Sequence, residues 1–130
     1  LHKATNGVDA SRFSALLAAR YPHVVADFDE VESASVYLQL GALARFTQQA
    51  MSEEDTPIVA DYFAFIGQMF RLGDGEVKNA IAVSYLECLG FDGRHGKRIG
   101  AREMLTPQLR TTLCDLEKYN AAIRRGPDRD

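Results

Sequence analysis

Cys88 and His95 are the pair in this chain that comes nearest to a nucleophile and its base, because a thiol attacks only when a neighbouring group takes its proton. The pattern around Cys88 argues against that use. It lies among Val77, Ile81 and Tyr85 at helical spacing, where a thiol behaves as a small inert hydrophobe. Cys114 sits in a similar apolar run, so both are expected to be reduced core residues. Ser84 is flanked by Ala82, Val83, Tyr85 and Leu86 and lacks the glycines of a nucleophile elbow. His2, His23 and His95 fall in three different segments, none with a His, Cys or carboxylate at zinc-ligand spacing. No metal, cofactor or catalytic group is expected, and the chain reads as a non-enzyme.

Gly93, Gly96 and Gly100 alternate with Arg94, Lys97 and Arg98, a composition that suggests a phosphate cradle. Walker spacing is absent, and no preceding strand presents the segment. Gly93-Arg-His-Gly also fits a GxxG nucleic-acid clamp, which requires an α/β setting not found here. The segment is therefore expected to be a flexible surface loop, with no nucleic acid as partner.

Carboxylates are the more suggestive groups. Asp27, Asp29, Glu30 and Glu32 form one cluster, Glu53, Glu54 and Asp55 another, and Glu76 stands near the start of a later helix. Negative charge at a helix start is stabilising in itself, which accounts for many such residues. The same eight acids are also the candidate partner-binding residues. Charge is uneven along the chain: over residues 27–90 eleven acids face Arg45, Arg71 and Lys78, a net −8, whereas nine bases and six acids from 91 onward give +3. Such asymmetry steers encounter with a basic partner, or is neutralised between the two segments on folding.

These groups must be positioned by helices, since no segment alternates as a strand. Asp9 can cap a first helix with Phe13, Leu16, Leu17 and Tyr21 on one face, stopped by Pro22. Val36, Leu40, Leu43, Thr47 and Ala50 follow a 4-3-4-3 spacing in a second helix that should stop near Met51. Thr56 and Pro57 read as N-cap and first residue of a third, whose 58–72 run is apolar except for a stripe through Asp61, Gln68 and Arg71. Asp74 can cap a fourth helix burying Val77, Ile81, Tyr85 and Cys88, with Gly90 as its left-handed stop and Asn79 and Glu87 on one face. A short helical piece over 101–105 precedes a Thr106-Pro107 start and a last helix carrying Leu109, Leu113, Leu116 and Ile123. The fold class is thus all-α, with five to six helices packed as antiparallel helical hairpins in a bundle or HEAT-like stack. Its expected organisation is a flexible N-terminus over 1–8, one helical domain over 9–125 and a disordered tail over 126–130.

A chain of 130 residues with 46% hydrophobic and 25% charged residues suits a single water-soluble domain. No run approaches the roughly 18 apolar residues of a membrane span, and no export signal is recognisable, so cytoplasmic residence without a membrane partner is expected. Leu1 in place of Met suggests a trimmed start, which leaves room for a removed leader.

The run Asn-Ala-Ile-Ala-Val-Ser-Tyr-Leu-Glu over 79–87, preceded by the helix over 35–46 and followed by Met104-Leu-Thr-Pro-Gln-Leu, resembles a small all-helical bacterial family. Its members look like immunity proteins associated with polymorphic toxins, and the similarity covers roughly residues 12–120. The resemblance implies a protein that binds a cognate toxin domain and occludes its active site, and it brings no catalytic motif. In this chain the acids would mimic the toxin's substrate. The alternatives are a helical scaffold or adaptor recognising a peptide in an apolar groove and an enzyme acting on a phosphorylated small molecule through residues 94–98.

Overall fold

The computed structural model describes residues 7–91 and 93–125. The first six residues of the expected flexible N-terminus, with His2, and the expected tail over 126–130 lie outside the described residues, as does Asp92. Among the described residues the secondary structure is helical, apart from one isolated parallel bridge between Val8 and Gly73. Through that bridge the Val8 N–H donates to the Leu72 carbonyl and the Asp74 N–H to the Val8 carbonyl, which leads the chain into the domain.

Asp9 opens α1 (Ala10–Arg20) by accepting the Arg12 N–H, and Phe13 and Leu17 on that helix are fully buried. Pro22 does end this helix, and it also starts α2 (Pro22–Val25), where its missing N–H costs nothing. Asp29 and Glu32 close a reciprocal capping box on α3 (Glu30–Ser33). This acidic stretch therefore caps its own short helix, not the long one that follows.

Helix α4 (Val36–Ser52) starts at Ser35 and buries Val36, Leu40, Leu43, Thr47 and Ala50, the stripe anticipated from spacing. Three residues later α5 (Thr56–Leu72) begins, and it packs on α4 as a helical hairpin. Its N-cap is Asp55, which accepts the Ile58 N–H; Thr56 is the first helical residue and not the cap. Asp74 caps α6 (Gly75–Ala80) as expected.

Beyond α6 the helix is irregular. A π-turn over Ile81–Tyr85 and a 3₁₀ turn over Leu86–Cys88 replace regular α-helix. The wider turn consumes extra residues, so Cys88 falls out of phase with Val77, Ile81 and Tyr85 and is exposed. Cys114 is exposed on the last helix too, which corrects the reading of both thiols as core residues. Asn79 and Glu87 consequently go different ways: Asn79 donates to the Tyr37 hydroxyl, and Glu87 accepts from Asn120. Gly90 does not adopt a left-handed conformation, since Leu89 leaves the 3₁₀ turn in an extended one.

The glycine-rich segment is helix α7 (Arg94–Ile99), not a loop. Gly96 is there for close packing: a Cβ would stand 2.7 Å from the Phe91 carbonyl and 2.8 Å from that of Gly90. Gly100 supplies the left-handed stop, with φ +68°. Helix α8 (Ala101–Met104) precedes α9 (Pro107–Arg125), whose Leu109 N–H bonds the Thr106 hydroxyl. Leu109 and Leu113 reach the core, Leu116 reaches it partly, and Ile123 is 59% exposed.

Candidate partner-binding face

Folding engages most of the acids that composition singles out. Glu54, at the corner between α4 and α5, accepts from His95 Nδ1 at 3.1 Å and pairs with Arg98 Nε at 3.3 Å. The basic helix α7 is thus clasped to the acidic corner, where Arg98 and Glu54 offset one another. Glu54 does this with φ +55°, a left-handed conformation costly for a side chain with a Cβ. Asp55 caps α5, Glu53 bonds Gln49 of its own helix, and Asp29 and Glu32 cap each other. Asp27, Glu30 and Glu76 are exposed and make no side-chain bond among the described residues. The eight acids do not converge on one site.

A different group does converge. Ile58, Asp61 and Tyr62 lie at i, i+3 and i+4 of α5 and share one face of that helix. The C-terminal end of α1 meets it there: Arg20 reaches Asp61 Oδ1 at 2.6 Å, and the Tyr21 hydroxyl donates to Asp61 Oδ2 at 2.6 Å. Tyr21 stacks edge-on against Tyr62 with centroids 5.0 Å apart, and the Arg20 guanidinium lies 5.6 Å from the Tyr21 ring centroid. His23 of α2 completes the group. Its Nε2 is 3.1 Å from the Tyr62 hydroxyl, and its ring meets Phe46 of α4 edge-on at 5.2 Å. Phe46 and Ile58 remain 38% and 44% exposed, so the aromatic cluster opens outward.

The electrostatics of this face follow from its contacts. The Tyr21 hydrogen bond, aided by Arg20, holds the Asp61 carboxyl below its ordinary range against the opposing effect of burial. Burial pushes the Tyr21 hydroxyl well up, with the Asp61 carboxylate adding to the shift, and burial likewise raises Tyr62. Both tyrosines therefore stay neutral at physiological pH. Arginine and tyrosine over a packed aromatic base are the residue types that carry binding energy in protein interfaces.

Open grooves lie elsewhere, and two of them are lined by both acidic and basic side chains. The larger, about 850 Å³, runs between α1 and α5 past Val8, Arg12, Leu16, Phe65 and Met69. The smaller, about 320 Å³, lies between the 3₁₀ turn and α9, where Arg102 makes a bidentate pair with Glu117 at 3.2 and 2.7 Å. Neither brings an acid and a base to bear on a shared empty point. Among the described residues, no group of three or more His, Cys, Asp or Glu is placed to hold a metal ion.

Residues 14–121 match the family model described as Domain of unknown function (DUF7674). The chain belongs to that family. The match runs from α1 into α9 and contains every residue of the aromatic face. No curated protein and no solved structure matches the chain.

Composition misses this face because its members are dispersed. Tyr21 reads as a core residue and His23 as an isolated histidine, while Phe46 carries the usable signal: a large aromatic beside, and out of phase with, the buried stripe that includes Leu43 and Thr47.

Proposed function

We propose that this member of the DUF7674 family is an immunity protein that binds a cognate toxin domain and occludes its active site. The observation that carries the reading is the outward-opening cluster of Phe46, His23, Tyr62 and the Arg20–Asp61 pair, to which the 27–90 segment, of net charge −8, contributes Phe46, Asp61 and Tyr62. Apolar and aromatic anchors supply affinity at an interface, while the surplus of acids accelerates encounter with a basic cleft. Asp27, Glu30 and Glu76, being solvated and unpaired, are the acids best placed to contribute to that steering; Glu54 and Asp55 are held by the fold. The reading assigns no catalytic residue, cofactor, nucleic acid or membrane lipid, and it places the chain in the cytoplasm with its toxin. Among the described residues, no helix is long and apolar enough to cross a membrane.

Co-expression provides the test. The reading frame adjacent to this one is expressed alone and then together with this chain in a bacterial host. Growth arrest by the neighbour, relieved by this chain, is the expected result. A neighbour that is harmless, or arrest that persists, removes the immunity reading.

A scaffold that recognises a peptide helix is the second reading, and the open groove of about 850 Å³ between α1 and α5 favours it. It entails binding that changes little with salt, whereas steering by acids entails association that slows as salt rises.

A further inference from the structure

We infer that the outer face of the α4–α5 hairpin, centred on Phe46, His23 and Tyr62, docks a basic segment of a partner protein in which arginine or lysine alternates with apolar side chains. The inference rests on the reading that the chain binds a protein, and it specifies the surface and the chemistry of what lies on it. Three observations support it. First, Phe46 and Ile58 are partly exposed on two helices that otherwise contribute heavily to the core, His23 links the Phe46 ring to the Tyr62 hydroxyl, and Ile58 lies one turn before Tyr62 on α5, which together make a largely apolar floor. Second, the floor is bordered by carboxylates. Glu53, the C-cap of α4, follows Phe46 by two turns, and Asp55 lies one turn ahead of Ile58, whereas Asp61 is already paired with Arg20.

Third, the nearby cations are directed elsewhere. Arg20 is committed to Asp61, Arg98 of α7 to Glu54, and Arg45 lies about 100° around α4 from Phe46, its guanidinium running back towards Gly41. A partner's guanidinium would thus meet the exposed part of the Phe46 ring and the Glu53 and Asp55 carboxylates, whose own contacts are with uncharged groups, a combination that favours cations. An acidic segment would find the apolar floor but be repelled at its border.

The probe is a fluorescein-labelled synthetic peptide alternating arginine and leucine, with a second peptide carrying glutamate in place of arginine. Anisotropy measures affinity, and ¹H–¹⁵N spectra of the unmodified chain map the contact. The expected result is binding of the arginine peptide alone, with shifts concentrated on residues 20–23, 46–53 and 58–62. Phe46→Ser with Ile58→Ser should weaken it by about tenfold. Both side chains are substantially exposed, so the melting temperature of this variant shows whether a loss arises from the surface. No binding, equal binding of the two peptides, shifts centred elsewhere, or unchanged affinity in the variant would each overturn the inference. Peptide binding without protection from a toxin would remove the immunity reading and leave the face standing; protection undiminished by the double variant would do the reverse.

Discussion

Phe46 and Thr47 are neighbours on α4 and belong to different worlds. Thr47 is fully buried; its hydroxyl donates to the Leu43 carbonyl at 2.9 Å and lies 2.8 Å from the hydroxyl of Tyr85, itself fully buried in the π-turn. Phe46, one residue earlier, is turned outward against His23. Both regions combine an aromatic ring with a hydrogen-bonded hydroxyl. In the inner one the Thr47 and Tyr85 hydroxyls bond within the fold and both side chains are fully buried, out of a partner's reach. In the outer one the floor is packed while its upper surface and its carboxylates face water. The contrast separates residues that hold the domain together from residues available to bind.

Substitutions should respect that division. Tyr85→Ala should cost about 3–5 kcal/mol in chemical denaturation, because it removes a buried ring and leaves a cavity. A loss below 1 kcal/mol would mean that the inner region is looser than drawn. Burial raises the Tyr85 hydroxyl far above its ordinary value of 10.0, and Tyr21 and Tyr62 shift the same way. The unfolded chain therefore releases these protons first, and stability that is complete below about pH 10 declines as pH rises beyond it. Tyr85→Phe should flatten that decline in a series of melts at increasing pH; an unaltered slope would assign it to other groups.

At the acidic corner, Glu54→Ala loses the contacts to α7 and keeps the left-handed backbone, whereas Glu54→Gly loses the contacts and relieves the conformation. The glycine variant should be more stable than the alanine one by about 1–2 kcal/mol. Equal stabilities would show that the corner relaxes. A smaller effect belongs to Asp61. Its carboxyl is held low by Tyr21 and Arg20, so the stability it contributes is present above its unfolded value and lost as pH falls through the folded one. Its side chain is 46% exposed and screened by water, so Asp61→Asn should alter the acid limb of the pH–stability curve only slightly. Phe46→Ser should be the mildest, within about 0.5–1 kcal/mol, since the ring is partly solvated already.

Much of the architecture is legible in local pattern. Asp9, Asp74 and Thr106 announce helix starts because capping needs only a side-chain oxygen a few residues from an orphan N–H. The stripe from Val36 to Ala50 identifies the inner side of α4. What local pattern does not reveal depends on contacts distant in sequence. The glycine at 96 reads as flexibility until the carbonyls of Gly90 and Phe91 are seen against it. Glu54 reads as a free acid until His95 and Arg98 arrive from 41 and 44 residues away. The π-turn at Ile81–Tyr85 changes the phase of everything after it, which is why Cys88 and Glu87 depart from a regular helical wheel. The aromatic face assembles from four helices, α1, α2, α4 and α5, none of which contains a motif on its own.

The most direct measurement is the affinity of the purified chain for its cognate toxin domain, taken in parallel for the unmodified chain, Phe46→Ser, and Cys88→Ser as a control on the exposed 3₁₀ turn. With the outer face as the docking surface, Phe46→Ser should bind about tenfold more weakly with its melting temperature lowered by no more than about 5 °C, so that it stays folded in the assay, while Cys88→Ser binds as the unmodified chain does. Equal affinity for all three, or a loss confined to Cys88→Ser, would contradict the assignment of the outer face as the binding surface.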